Sequence, residues 1–292
     1  MPTRLQIARP DVIKYFDSLP RKVLDRSDVE RILQEQRGFW RLAQTTTVAG
    51  FIKFLEKSGQ LHTARFDFSY RPIIKYTWGE VPLYTLLLSL KPGCYLTHYT
   101  AMYFHQLTDQ VPKIININSE QAPKRRYASS QLDQGRIDLA FGNPTRMSNN
   151  TAKYEGHTIR MLNGLHTGNV GVIDMPGPEG ETLRITDVER TLIDIAVRPE
   201  YSGGVFEVLE AYKRATDKVS INRLAAHLRS INYIYPYHQV IGFYLTKAGS
   251  YRRSQIDLLR RFEISYDFYL MHQIQERDYS KEWRLFYPKG LG

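Results

Sequence analysis

The sequence predicts an α+β protein in two parts, a winged helix-turn-helix over residues 1–80 and a larger mixed α+β domain over 83–292. Three observations predict it. Val48, Phe51, Ile52 and Leu55 recur at i, i+3, i+4 and i+7, the spacing of a helix that buries one stripe. Behind it, Ala64, Phe66 and Phe68, then Ile74, Tyr76 and Trp78, alternate with polar residues at the strand period. Past Gly79-Glu-Val-Pro82 the chain mixes strand-like runs with amphipathic helical ones, without an internal repeat.

In the first part, Asp11 to Phe16 reads as a short helix ending before Pro20. Ser27-Asp-Val-Glu30 reads as a capping box, in which side chains satisfy first-turn amides, ahead of a stripe of Val29, Ile32 and Leu33. Phe39 and Trp40 are expected to anchor the following turn in the core. Thr45 is the expected N-cap of the third helix and Gly59 its left-handed end. The exposed face of that helix would carry Thr46, Thr47, Gly50, Lys53 and Lys57, small or basic and free of carboxylates. Ser69-Tyr-Arg-Pro72 is turn-like and puts Tyr70 and Arg71 at a hairpin tip, with Arg65 and Lys75 pointing away from the apolar face.

A helix followed by a basic-tipped hairpin suits double-stranded DNA, with the helix in the major groove and the hairpin on the backbone or minor groove. Thr46, Thr47, Gly50 and Lys53 are the expected groove contacts, with Arg41 and Gln44 at the helix entrance. Arg65, Tyr70, Arg71 and Lys75 would hold the hairpin on the backbone. Charge agrees. The chain carries a net +10, and residues 1–80 hold 14 Lys and Arg against 9 Asp and Glu. The remaining 212 residues hold 26 against 21, so the same excess of +5 is spread more thinly. Excess positive charge favours a polyanionic partner.

Other classes are disfavoured. No run of about 18 apolar residues predicts a membrane span, and Met1-Pro-Thr-Arg opens no secretory signal, so a cytoplasmic protein is expected. The single cysteine, Cys94, excludes an intrachain disulfide framework and a cysteine-based zinc site. No Gly-rich nucleotide loop or Gly-x-Ser-x-Gly elbow is present, so neither enzymatic chemistry nor a cofactor is expected. Asp174, Glu181 and Arg184 resemble a metal nuclease pattern only remotely, because an arginine stays protonated and makes a poor base. His98 and His105 lie two helical turns apart, a spacing that suits packing better than metal binding.

In the second part, helices are expected over Leu83 to Leu90 and Thr97 to Leu107. Strands are expected at Cys94 to Leu96, Lys113 to Asn118, Arg136 to Phe141, Thr158 to Leu162 and Val170 to Asp174. Lys124-Arg-Arg126 with Tyr127 forms a basic cluster in a loop-like stretch. Thr186-Asp-Val-Glu189 reads as a second capping box, and Arg190 and Asp194 stand one helical turn apart. Helices follow Gly203-Gly204 and Ser220 and cover Pro236 to Lys247 and Ser254 to Phe262. A strand pair near Asp267 to Leu270 and Trp283 to Phe286 closes the chain.

Gly93-Cys-Tyr-Leu-Thr-His-Tyr-Thr-Ala-Met-Tyr-Phe-His-Gln-Leu107 resembles the strand-helix signature of the AbiEi-type antitoxins of type IV toxin–antitoxin systems. Ile185-Thr-Asp-Val-Glu-Arg-Thr-Leu-Ile-Asp194, with Pro199 and Gly203-Gly204, resembles that family's most recognisable motif. Gly242-Phe-Tyr-Leu245, Tyr266-Asp-Phe-Tyr-Leu270 and Trp283-Arg-Leu285 are similar to its C-terminal portion. The resemblance implies a winged-helix repressor of its own operon joined to an antitoxin-type domain. That domain would counteract a nucleotidyltransferase toxin without forming a stable complex. Thr186, Asp187, Glu189, Arg190 and Asp194 would be the antitoxin-domain motif. The long aromatic hairpin departs from the family's pattern. With no heptad seam, the expected state is a monomer that pairs only on an inverted-repeat operator. The alternative is a winged-helix regulator whose second domain senses a ligand.

Overall fold

Thr3 Oγ1 accepts from the Gln6 amide at 3.3 Å and the Gln6 side chain accepts from the Thr3 amide at 2.7 Å. This capping box starts α1 (Arg4–Ser18), much earlier than Asp11, and Pro10 lies inside the helix. The structure is a computed structural model describing residues 3–123 and 132–291. It is α+β, and the chain forms two compact units. The first is Met1–Pro92 with Asn150–Gly156 and Pro176–Leu183; the second is Gly93–Asn149 with His157–Met175 and Arg184–Gly292.

In the first unit α1 leads to β1 (Val23–Leu24), α2 (Arg26–Gln36), α3 (Val48–Lys57), β2 (Leu61–Asp67), β3 (Pro72–Trp78) and α4 (Leu83–Leu88). The three strands lie in the order β1-β3-β2, all antiparallel. The N-cap of α2 is Asp25, not Ser27, and the Asp28 carboxylate accepts from the Asp25 amide at 2.9 Å. Arg37 ties the turn before α3, donating to the carbonyls of Ala43 at 2.5 Å and Thr46 at 3.0 Å. Thr47 caps α3 in place of Thr45, its hydroxyl accepting from the Gly50 amide at 3.1 Å. Phe51, Ile52 and Leu55 go into the core beside Phe16, Trp40 and Trp78. Phe39 does not: it is 74% exposed, and Trp40 alone anchors the turn.

The hairpin corrects the expected facing of its strands. Ala64 pairs with Lys75 and Arg65 with Ile74, so Arg65 and Lys75 lie on opposite faces. Leu61, paired with Trp78, and Tyr76, paired with Thr63, face the helices. Ala64 and Phe66 are buried on the other face, together with Lys75.

The second unit carries β4 (Tyr95–Leu96), α5 (Tyr99–Phe104), β5 (Ile114–Asn118) and α6 (Gln134–Gly142). Arg136 to Phe141 is thus helical and not a strand. Its buried residues, Ile137 and Phe141, stand four apart, and Asp133 caps it through the Arg136 amide at 2.9 Å. The next strand, β6 (Thr151–Tyr154), belongs to the first unit, where Tyr154 stacks on Phe66 with centroids 4.5 Å apart. There follow β7 (His157–Leu162), β8 (Val172–Pro176), β9 (Thr182–Thr186) and α7 (Val188–Val197), then a 3-10 turn at Pro199–Tyr201. The sheet of this unit runs β7-β5-β4-β9-β8. Helices α8 (Val205–Arg214), α9 (Ile221–Ile231), α10 (Tyr237–Ala248) and α11 (Arg253–Arg260) build the main core.

Strands β10 (Phe268–Tyr269), β11 (Arg277–Ser280) and β12 (Leu285–Pro288) close the unit, with β10 parallel and β11 antiparallel to β12. Trp283 is fully buried against α10 at Gly242, where a Cβ would come within 2.3 Å of the indole ring. Only glycine admits so close an approach.

Candidate nucleic-acid interface and the buried motif

In the first unit, the core stripe of α3 leaves Thr47, Ala49, Gly50, Lys53 and Lys57 exposed, with Thr46 half-buried. The Thr47 hydroxyl serves as the helix cap, and a Cβ at Gly50 would sit 3.2 Å from it. The face is not free of carboxylate: Glu56 is exposed there and accepts from Thr63 Oγ1 at 2.5 Å. Arg41 and Gln44 are exposed in the preceding turn, where Arg41 takes a left-handed φ of 52°. At the hairpin tip Tyr70 is 80% exposed and Arg71 stands beside it in solvent. Arg65 is exposed and pairs with Asp67 at 2.8 Å.

Lys75 departs from the expected set. It is 4% exposed, and its Nζ lies 2.6 Å from Asp25 Oδ1 at the cap of α2. The register that places it opposite Ala64 takes it off the solvent side. The basic cluster at Lys124, Arg125 and Arg126 lies outside the described residues.

In the second unit, the motif from Thr186 to Asp194 forms a hub. The true N-cap of α7 is Asp187, one residue beyond Thr186, and it accepts from the Arg190 amide at 2.7 Å. Its second oxygen meets His227 Nε2 on α9 at 2.9 Å. Burial alone would raise the Asp187 carboxyl; His227, the Arg190 amide and the Arg223 charge outweigh it and hold the group below its ordinary value. Thr186 is therefore no cap. Its hydroxyl meets Thr191 Oγ1 at 2.8 Å, and its carbonyl lies 2.6 Å from His105 Nε2.

Glu189 does not close a capping box on its own helix. It is fully buried and caps α9 instead, accepting from the Ser220 amide at 2.7 Å and lying 2.8 Å from the Arg223 guanidinium. Arg190 is buried against Asp194, Nε to Oδ1 at 2.7 Å, and its other arm donates to Thr167 Oγ1 at 3.1 Å and the Val170 carbonyl at 2.8 Å. Burial works against its charge, but Asp194 reverses the effect and keeps the guanidinium protonated. Asp194 also accepts from Thr97 Oγ1, just beyond β4, at 2.9 Å. Nine consecutive residues thus fasten α7 to α9, to the segment ahead of α5 and to the loop ahead of β8. Gly171 lets that loop pass, since a Cβ there would fall 2.6 Å from Arg190 Cβ.

Sequence reasoning missed Glu120, which holds the same loop from its other side. Its carboxylate accepts from the amides of Thr167 at 2.8 Å, Gly168 at 3.0 Å and Asn169 at 3.2 Å. Burial would raise this carboxyl, but the Thr167 and Asn169 hydrogen bonds bring it below its usual value. Nothing in the local sequence marks it, because its partners lie 47 to 49 residues away.

His98 and His105 flank the short α5 as its N-cap and C-cap residues, outside the helix at either end. His98 is buried, its Nδ1 3.1 Å from Thr97 Oγ1, and burial pushes its pKa down to about 4. Among the described residues, no group of three or more His, Cys, Asp or Glu side chains is placed to hold a metal ion. No helix of the described residues is long and apolar enough to cross a membrane.

No known protein family and no curated protein matches the chain. Among solved structures it is similar to the RV2827C protein from Mycobacterium tuberculosis. The two share 16% identity and a TM-score of 0.56 over 98% of this chain and 92% of that one. At that identity the likeness is one of fold, a mixed α+β architecture.

Proposed function

We propose that the chain is a DNA-binding repressor of its own operon that also acts as the antitoxin against a nucleotidyltransferase toxin. The observation that carries the DNA half is the exposed face of α3. Thr46, Thr47, Ala49, Gly50 and Lys53 lie together there, while Val48, Phe51, Ile52, Phe54 and Leu55 pack into the core. The order α1-β1-α2-α3-β2-β3, with β3 between β1 and β2, is the connectivity a winged helix-turn-helix requires. In this reading α3 enters the major groove, and Tyr70 and Arg71 meet the backbone or minor groove. Arg41 and Gln44 stand at the entrance, Arg65 adds charge on the hairpin, and Lys75 serves the fold.

The antitoxin half rests on the resemblance carried by Thr186 to Asp194. The hub supports a positioning role for those residues, since each polar side chain has its partner inside the unit. Two trials separate the halves. Footprinting the full chain on the DNA upstream of its gene is expected to protect an inverted repeat, and unprotected DNA would remove the repressor. Coexpression with a nucleotidyltransferase toxin encoded beside it is expected to restore growth. Arrest in cells that contain folded protein would remove the antitoxin.

A further inference from the structure

From the end of α9 into the first turn of α10 runs Tyr233-Ile-Tyr-Pro-Tyr-His238, three tyrosines, a histidine and an isoleucine in six residues. Asn232 ends α9 with a left-handed φ of 51°, and Pro236 precedes α10, so the stretch between is held out of helical geometry. It forms one wall of a solvent-open cleft of about 670 Å³, within the range of about 300–1,000 Å³ typical of ligand sites. The facing wall is Phe262, Glu263 and Tyr266. Phe262 is an organised platform: His238 stacks on it at 5.2 Å and 18°, and the Arg229 guanidinium lies 4.9 Å from its centroid. At the lip, Ile234 is 71% exposed, a large apolar side chain that the fold leaves in water.

The lining narrows the class of occupant. A wholly apolar ligand would strip water from Arg229 and Glu263 and return no hydrogen bonds. A flat ring with a negative group nearby suits it better: ring faces for stacking and the exposed Arg229 for the charge. Burial lowers the His238 pKa, so that ring is a neutral stacking surface near pH 7. A chain with a net +10 attracts a polyanion, and an open cleft admits a strand that continues beyond it. We propose that this cleft binds single-stranded nucleic acid, with a base against Ile234 and the tyrosines and a phosphate on Arg229.

The proposal stands independently of the duplex reading, since it uses other residues and another ligand. Its test is fluorescence anisotropy of the full chain with labelled hexa-adenylate, as RNA and as DNA. Saturable binding is expected. Arg229→Glu should weaken it at least about tenfold and flatten the salt slope by roughly 0.7. Ile234→Asp should weaken it several-fold. Both residues are exposed, so both variants should keep the wild-type melting temperature and duplex affinity. Lys53→Ala should leave hexamer binding unchanged. Hexamer binding that both cleft variants retain, or that only Lys53→Ala weakens, would overturn the proposal. So would adenosine monophosphate competing as well as the hexamer, which would make the cleft a free-nucleotide site.

Discussion

The two units treat charge in opposite ways. In the first, the core is apolar, built from Val12, Phe16, Val29, Ile32, Leu33, Phe51 and Leu55, and the described arginines are outside it. Lys75 is the exception, and its carboxylate partner Asp25 reaches solvent. In the second, Asp187, Glu189, Arg190 and Asp194 are all buried, in a network that joins four segments of chain. A side chain that holds its own fold together has little capacity left for a partner. Exposed cations such as Lys53 and Arg71 cost little to keep and are available for binding. Substitutions in the first unit should therefore change binding without stability, and those in the hub should change stability first.

The largest effect should come from the hub. Arg190→Ala leaves Asp194 buried without its cation and should cost about 3–5 kcal/mol of stability, read by chemical denaturation. Arg190→Met with Asp194→Leu removes both charges and should lose less than Arg190→Ala. If the double variant is the worse of the two, the network does more than satisfy a buried pair.

Acid should act next, and on the second unit. A folded-state pKa of about 4 for His98 means that the unfolded chain takes up this proton first as pH falls. Its contribution is complete above about pH 6.5 and is lost between 6.5 and 4, up to about 3 kcal/mol in all. His105 and His238, also lowered by burial, add in the same direction. The depressed carboxyls of Asp187 and Glu120 lose their contributions only at still lower pH, as pH falls through their folded values. Denaturation midpoints flat from pH 7 to 5 would contradict this burial.

A smaller effect separates Lys75 from its exposed neighbours. Lys75→Met should cost about 1 kcal/mol, since Asp25 can be rehydrated where it stands. It should leave DNA affinity within a factor of two or so once stability is restored by lower temperature. A large loss of affinity in a folded Lys75→Met protein would return Lys75 to the binding surface.

How much of this was legible depends on how local the cause is. The α3 stripe, the hairpin and the helical character of Thr186 to Asp194 follow from near-neighbour patterns, and the structure has them. Cap positions moved by one or two residues, from Thr45 to Thr47, Ser27 to Asp25 and Thr186 to Asp187, because neighbouring side chains offer the same chemistry. The hairpin was read with both apolar sets on one face, an error of one residue in register that exchanged Lys75 for a solvent position. Arg136 to Phe141 satisfies the strand and the helix period over so short a run, and only its packing decides. Glu120 and the trans-capping by Glu189 depend on partners 31 or more residues away, which no local pattern carries.

Under the proposed function, Lys53 on the exposed face of α3 contacts duplex DNA while the fold does not need it. Lys53→Ala in the full chain tests it most directly, with operator affinity measured across salt beside a thermal melt. The expected result is a melt unchanged within about 0.5 kcal/mol, weaker binding to every duplex and a salt slope flatter by about one. Wild-type affinity and slope in the Lys53→Ala protein would contradict it.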